Sequence, residues 1–215
     1  MGKKMNTLDY LQKKFSLDLT QQQMPIAVPN FGRNQLAELL HELDFKDGVE
    51  VGVAAGRYSQ ILCEANPQMK LYGVDPWKPL EDYVDTTDEH VFEVTRQEAE
   101  DRLKGYSNYK FIYKTSMEAV KDFENGTLDF VYIDGNHNFV NVTNDISEWI
   151  KKIKSGGIIS GHDYFRSRGH PETQVIKAVN TYTEEKKIRP WFVLGNEADN
   201  EGLIRDKPRS WMWIK

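Results

Sequence analysis

Two aspartates in this chain stand beside histidines at the ends of short apolar segments: Asp134 in YIDGNH and Asp163 in SGHDY. If those segments are neighbouring parallel strands, about 5 Å apart, their ends bring Asp134, Asp163, His162 and His137 to one place. Two carboxylates and an imidazole can share a divalent cation, which makes Asp134, His162 and Asp163 a candidate metal set. Four polar groups at two strand ends are costly to keep unless they bind something. Mutual hydrogen bonding with helix capping is the structural alternative.

A second group surrounds Glu50-Val51-Gly52-Val53-Ala54-Ala55-Gly56-Arg57. It follows a strand-like segment and opens a helical one, so backbone N–H groups can approach a ligand where side chains are minimal. A dinucleotide turn wants G-x-G-x-x-G. Counted from Gly52, the second and third glycines are replaced by Ala54 and Arg57. The pattern acidic-x-Gly-x-(Gly/Ala)-x-Gly fits instead. Its acidic residue suits the ammonium and sulfonium of S-adenosylmethionine better than a pyrophosphate. Asp75, in GVDPW, lies 25 residues beyond Glu50, the length of one strand–helix–strand unit. A carboxylate there can accept both hydroxyls of a ribose, or it can cap a helix that begins at Pro76.

The elements that must position these groups alternate along the chain. Strand-like segments cover Gly48–Val53, Lys70–Val74, Tyr109–Tyr113, Leu128–Ile133 and Gly156–Ser160. Most are apolar without alternation, as in sheets covered on both faces. Helical periodicity marks Gln35–Leu43 and Val142–Ile153. After a helical Thr173–Lys187, the segments Arg189–Leu194 and Ser210–Ile214 predict a hairpin forming an antiparallel edge. The acidic stretch Glu81–Glu100 is helical in propensity but polar, and is expected to cover the site. Residues 1–34 are expected to form an arm or cap, and 35–215 the main domain.

Composition narrows the class. With 215 residues, 39% hydrophobic and 28% charged, the chain suits one globular domain with additions. No apolar run reaches the roughly 18–20 residues of a membrane span. A basic tip without an apolar stretch predicts no secretory signal, so a cytoplasmic location is expected. The single Cys63 excludes a multi-cysteine zinc site and any disulfide framework. A net charge of −5 disfavours nucleic acid as partner.

Taken together, VEVGVAAG, GVDPW, YIDGNHNFVNVTNDISEWIKKIKSGGIISGHDY and the terminal hairpin resemble class I S-adenosylmethionine-dependent methyltransferases. More narrowly they resemble the metal-dependent O-methyltransferase branch that includes macrocin O-methyltransferase and, more distantly, catechol O-methyltransferase. The resemblance runs from about Gln35 to the C-terminus and is thin over residues 78–105. It implies a Rossmann-like α/β fold: a seven-stranded, mostly parallel sheet with an antiparallel C-terminal strand and helices on both faces. It implies S-adenosylmethionine against Glu50, Gly52, Ala54, Gly56, Tyr58 and Ser59. Asp75, Pro76 and Trp77 would hold the ribose side, Ser116 and Met117 would line the adenine, and Asp134 would close the site. Asp134 and Asp163 match metal ligands, and His137 stands where the catechol enzyme has a basic lysine, which makes it the candidate general base. Asn136 and His162 depart from acidic residues of the macrocin-like pattern, shifting the expected ion from Mg²⁺ toward Mn²⁺, Fe²⁺ or Zn²⁺.

The expected reaction is methyl transfer to a hydroxyl of a small molecule or sugar. A divalent ion on the hydroxyl would lower its pKa and fix its position, and a histidine would take the proton. The alternatives are a metal-independent methyltransferase of the same fold and a non-catalytic nucleotide- or cofactor-binding protein. The acceptor pocket is expected between the N-terminal arm, Trp77–Glu100 and the loop Phe165–His170, and the aromatic segment with Trp211 and Trp213 is compatible with a homodimer.

Overall fold

In a computed structural model of the chain, residues 5–80, 88–165, 173–197, 204–206 and 208–215 are described. The elements in chain order are α1 (Thr7–Phe15), β1 (Ile26–Val28), α2 (Arg33–Glu42), β2 (Asp47–Val51), α3 (Arg57–Ala65), β3 (Lys70–Val74) and α4 (Glu89–Leu103). There follow β4 (Tyr109–Ile112), α5 (Ser116–Ala119), β5 (Leu128–Ile133), α6 (Phe139–Lys152), β6 (Ile153–Gly161), α7 (Val175–Glu185), β7 (Trp191–Leu194) and β8 (Ser210–Ile214).

The strands form one sheet in the order β1-β7-β8-β6-β5-β2-β3-β4. Every pairing is parallel except those of β8, which runs antiparallel to both β6 and β7. The Rossmann-like α/β class read from the sequence holds, with two differences. The sheet has eight strands among the described residues rather than seven. The β7–β8 pair also does not form the edge, because β1 pairs in parallel beyond β7, Ile26 opposite Phe192 and Val28 opposite Leu194. A three-residue strand carries too little periodicity to be read alone. Ile26 and Val28 nonetheless point into the core with Ala27 outward, the alternation of a strand covered on one face.

Helices cover both faces, which is why β2 and β5 are buried along nearly their whole length. Leu36, Leu39 and Leu40 of α2 and Leu62 of α3 pack on Phe130, Tyr132 and Ile158. Val142, Ile146 and Trp149 of α6, with Val179 of α7, pack on Val49, Val131 and Ile159 of the opposite face. The N-terminal segment joins the first of these cores. Leu11 of α1 and Phe31 are buried in it, and Thr7 donates a 2.6 Å hydrogen bond to the Gly156 carbonyl.

This order puts the site where such folds put ligands. Chain progression reverses direction between β2 and β5, and the crevice at the carboxyl ends of those strands is the usual ligand position. The expected cover is present in part, as α4, capped by the Asp88 side chain on the His90 amide. Residues 81–87 of that cover, and 166–170 of the loop expected beside the acceptor, lie outside the described residues.

Since Leu11 is fully buried against the sheet, Leu11→Ala should lower the free energy of unfolding by about 2–5 kcal/mol, the range for truncating a core leucine. Urea denaturation measures this, and a loss below about 0.5 kcal/mol, the surface-substitution scale, would show that α1 docks without contributing to the fold.

Candidate active site

The site is built on the turn that follows β2. Gly52 has φ +88°, and a Cβ there would lie 2.0 Å from the Asp134 carbonyl oxygen and 2.7 Å from Gly135 Cα. The glycine is required first by the chain that leaves β5, and only then by any ligand. Gly56, at φ +72°, is pressed by α4, with Leu103 Cδ1 2.9 Å from where a Cβ would stand. Between them Ala54 takes φ +46°. Trp77 (φ +42°) and Asp163 (φ +57°) also carry positive φ. Non-glycine residues held in that region cluster where surrounding structure over-determines them, commonly at ligand sites.

Asp75 braces the turn. Its Oδ2 accepts the amides of Val53 and Ala54, each at 3.0 Å, and its Oδ1 accepts the Trp77 amide at 2.8 Å. Burial raises the pKa of this carboxyl despite these three donors. No helix starts at Pro76, so the capping alternative does not apply among the described residues. Trp77 closes the same turn from above, its Nε1 donating to the Ala54 carbonyl at 2.9 Å while its ring lies against Phe111 and Tyr113.

Beside this turn opens a cavity of about 380 Å³. It is lined by Gly52, Ala54, Asp75, Pro76, Trp77, Ser116, Met117 and Asp134 among the residues singled out from sequence. His137, His162 and Asp163 are not among its lining residues, and neither are Glu50, Gly56, Tyr58 and Ser59. The latter four form the layer beneath: the Ser59 hydroxyl donates to Glu50, and the Tyr58 hydroxyl donates to the Arg33 carbonyl. Glu50 is 1% exposed, and burial pushes its carboxyl up to about 8.

At the β5–β6 end of the site lie the polar groups expected there. His137 Nε2 is 3.0 Å from Asp163 Oδ2 and 3.7 Å from Asp134 Oδ1. His162 Nδ1 is 3.5 Å from Asp163 Oδ2 and 3.7 Å from Asp134 Oδ1. Burial opposes charge here, yet the hydrogen bonds from His137 and His162 hold the Asp163 carboxyl well below the usual carboxylate range. For His162 burial works the other way, and Asp163 and Asp134 outweigh it to raise the imidazole. Asp134, His162 and Asp163 each offer one ligand atom, all within 4.8 Å of one another. Two carboxylate oxygens and one imidazole nitrogen are a donor set that fits Mn²⁺, Fe²⁺ or Zn²⁺ better than Mg²⁺.

Several residues of the site were not singled out from sequence. Asn141 and Asp145 of α6, and Thr115, line the cavity. Arg33 at the start of α2 lies with its guanidinium 5.5 Å from the Tyr58 ring, and Asp206 and Asp134 help to raise its pKa against burial. Asp145 left one signal in the sequence: it falls among Val142, Ile146 and Trp149, the apolar face of an amphipathic helix.

A family model described as "Methyltransferase domain" matches residues 49–164, just over half of the chain. An uncharacterized protein of Sinorhizobium fredii, y4gI, is 25% identical over 134 residues, which is 58% of this chain but only 14% of that protein's length. Among solved structures, an O-methyltransferase from Bacillus cereus in complex with S-adenosylhomocysteine superposes with a TM-score of 0.61 at 12% identity, covering 100% of this chain and 93% of that one. The O-methyltransferase TomG from Streptomyces achromogenes, involved in tomaymycin synthesis and in complex with S-adenosylmethionine, gives 0.57 at 13% identity, covering 99% and 91%. At these identities the likeness establishes the fold.

The Glu50 carboxyl gives a pH test of this architecture. A carboxyl raised by folding holds its proton more tightly when folded. Its contribution is therefore complete below its ordinary value of 4.5 and is lost as pH rises toward about 8. Glu50→Gln keeps an acceptor for Ser59 but cannot ionise. Its stability relative to the wild type should therefore climb between pH 5 and 8, by up to about 1.4 kcal/mol per pH unit. Denaturation curves at several pH values check this; a difference that stays constant with pH contradicts it.

Proposed function

Because the chain belongs to the methyltransferase-domain family, we propose that it is an S-adenosylmethionine-dependent O-methyltransferase acting on a hydroxyl of a small molecule or sugar, aided by a divalent metal ion. One observation carries this reading. A single cavity joins the Gly52 turn, the Asp75 carboxylate and Asp134 along adjacent strand ends at the sheet's reversal point. The cofactors named for the Bacillus and Streptomyces structures support the choice of ligand.

The roles follow from the positions. The main chain at Gly52 and Ala54, carrying no bulk, receives the cofactor's amino-acid end. Asp75 still has lone pairs beyond those engaged by three amides, and these accept the ribose hydroxyls. Pro76 and Trp77 flank the ribose, and Ser116 and Met117 meet the adenine. Glu50, Gly56, Tyr58 and Ser59 act from beneath by holding the turn's shape. A divalent ion held by Asp134, His162 and Asp163 would lower the pKa of the acceptor hydroxyl. His137 takes the hydroxyl proton, and the carboxylate of Asp163 steadies the imidazolium that results. Holding cofactor and acceptor in line contributes a large share of the rate.

One observation favours a second reading without metal. His137 Nε2 stands between the two carboxylates, 3.0 Å from Asp163 Oδ2 and 3.7 Å from Asp134 Oδ1. In that case a histidine–aspartate pair serves the acceptor alone. The same reading takes in a homodimer and a cytoplasmic location. No helix among the described residues is long and apolar enough to cross a membrane.

Calorimetry should detect S-adenosylmethionine and S-adenosylhomocysteine binding and no NAD binding. Asp75→Ala should weaken cofactor binding by roughly 1–3 kcal/mol. It should also lower stability, because three amides lose their acceptor. NAD binding, or undiminished affinity in the variant, would overturn the cofactor assignment.

With an acceptor in hand, excess chelator or Asp163→Ala should suppress turnover while cofactor affinity stays nearly constant. His137→Gln should cut turnover by about 10²–10⁴. Full activity in chelator combined with loss in His137→Gln would select the metal-free reading.

A further inference from the structure

Asp145 is a carboxylate that neither the turn nor the metal-type cluster uses. It sits on α6, is 4% exposed and lines the cavity. An aspartate in a helix interior is an unfavourable choice, and a buried carboxyl without a partner is a costly one. Its Oδ1 accepts the Ser116 hydroxyl, and no other polar or charged group among the described residues engages it. The second oxygen therefore has no protein partner, on a side chain more than nine-tenths buried and bordering the cavity.

The proton order at this point is set by a third residue. Trp149, one helical turn beyond Asp145, donates its indole N–H to the Ser116 oxygen at 2.8 Å. An indole only donates, so Ser116 accepts from Trp149 and commits its own proton to Asp145. The oxygen left over is presented to the cavity as an acceptor in a fixed place. Such an arrangement suits a ligand with an N–H group.

The strand order says which part of the ligand lies there. Ser116 follows β4 and Asp75 follows β3, neighbouring strands about 4.8 Å apart. Asp134 and Asp163 follow β5 and β6, on the other side of the Gly52 turn. A nucleoside whose ribose meets Asp75 and whose reactive end points toward Asp134 must lay its base over the end of β4. We propose that Asp145 is the base-specificity residue of this site, its carboxylate accepting a hydrogen bond from the 6-amino group of the cofactor's adenine, with Ser116 and Trp149 as positioning residues. The inference rests on the cofactor reading given above.

The test compares S-adenosylhomocysteine with its 6-deamino analogue, the purine-riboside ligand in which hydrogen replaces the 6-amino group and no new donor appears. Calorimetry is done at pH 8.5, above the value of about 7 to which burial pushes this carboxyl. The wild type should prefer the adenine ligand by about 10–100-fold, the worth of a hydrogen bond to a charged group. In Asp145→Asn, Ser116 still donates to the side-chain oxygen, so the amide NH₂ faces the cavity and the preference should vanish or invert. A purely structural role would weaken both ligands alike and leave their ratio unchanged. Equal binding of both ligands by the wild type, or a preference retained in Asp145→Asn, overturns the proposal while the cofactor reading stands. Should Asp145→Asn not fold, Asp145→Ser shortens the side chain, and a preference above about threefold in it counts against the assignment equally. If neither ligand binds the wild type, the cofactor reading itself falls, and this proposal with it.

Discussion

At the centre of the sheet the main chain at Gly52 passes directly beneath the Asp134 carbonyl, leaving no room for a side chain between β2 and the loop leaving β5. Two hydrogen bonds hold that approach, the Gly52 amide to the Val74 carbonyl at 2.9 Å and the Asp134 amide to the Val51 carbonyl at 2.7 Å. The consequences spread outward. The turn after β2 is forced into positive φ at Gly52, Ala54 and Gly56, Asp75 must supply an acceptor for its exposed amides, and Asp134 is brought to the cavity mouth. A Cβ at position 52 would disturb the sheet before it touched any ligand. Loss of binding and loss of fold therefore have the same origin at that residue.

The carboxyl ends of the parallel strands gather five acidic side chains, and each is balanced differently. Glu50 lies in the core with a serine hydroxyl and holds its proton to about pH 8. Asp75 is wrapped by backbone amides. Asp134 and Asp163 face two imidazoles. Asp145 has a single hydroxyl donor and rises to about 7. Buried carboxyls balanced by donors or by retained protons let a chain with an acidic net charge concentrate acids in one place without mutual repulsion unfolding it. The same balancing sorts the groups by chemistry: the depressed Asp163 is an anion for cations, whereas Glu50 is a neutral structural group.

The periphery serves this centre. The β8 strand is inserted between β6 and β7, and Trp211 seals the end of β6 so tightly that a Cβ on Gly161 would stand 2.4 Å from the indole. His162 and Asp163 follow that glycine directly, so the packing of the hairpin sets where they project. The N-terminal segment closes the other flank. Its β1 completes the sheet beyond β7, and Arg33, just after it, contributes a positive charge toward Asp134.

Much of this was legible in the residues alone. Apolar runs without alternation reported strands covered on both faces, and they fell within two residues of the observed β3, β4 and β5. The Gly52–Gly56 spacing, Asp75 and the Asp134/Asp163 pair were visible because local rules act on them: positive φ wants glycine, and strand ends want turns. What tertiary structure decided was everything that depends on which strand lies beside which. The place of β1 was hidden because a three-residue strand earns its stability only from β7, far along the chain. Glu50 reads as a ligand contact from its motif. It turns inward because its side chain and the cavity lie on different sides of the turn, and alternation along one strand does not say which side a distant helix will cover. Asp145 reads as one polar residue on an apolar helix face. Only the packing of α6 against α5 supplies Ser116 as its donor and an open cavity for its second oxygen.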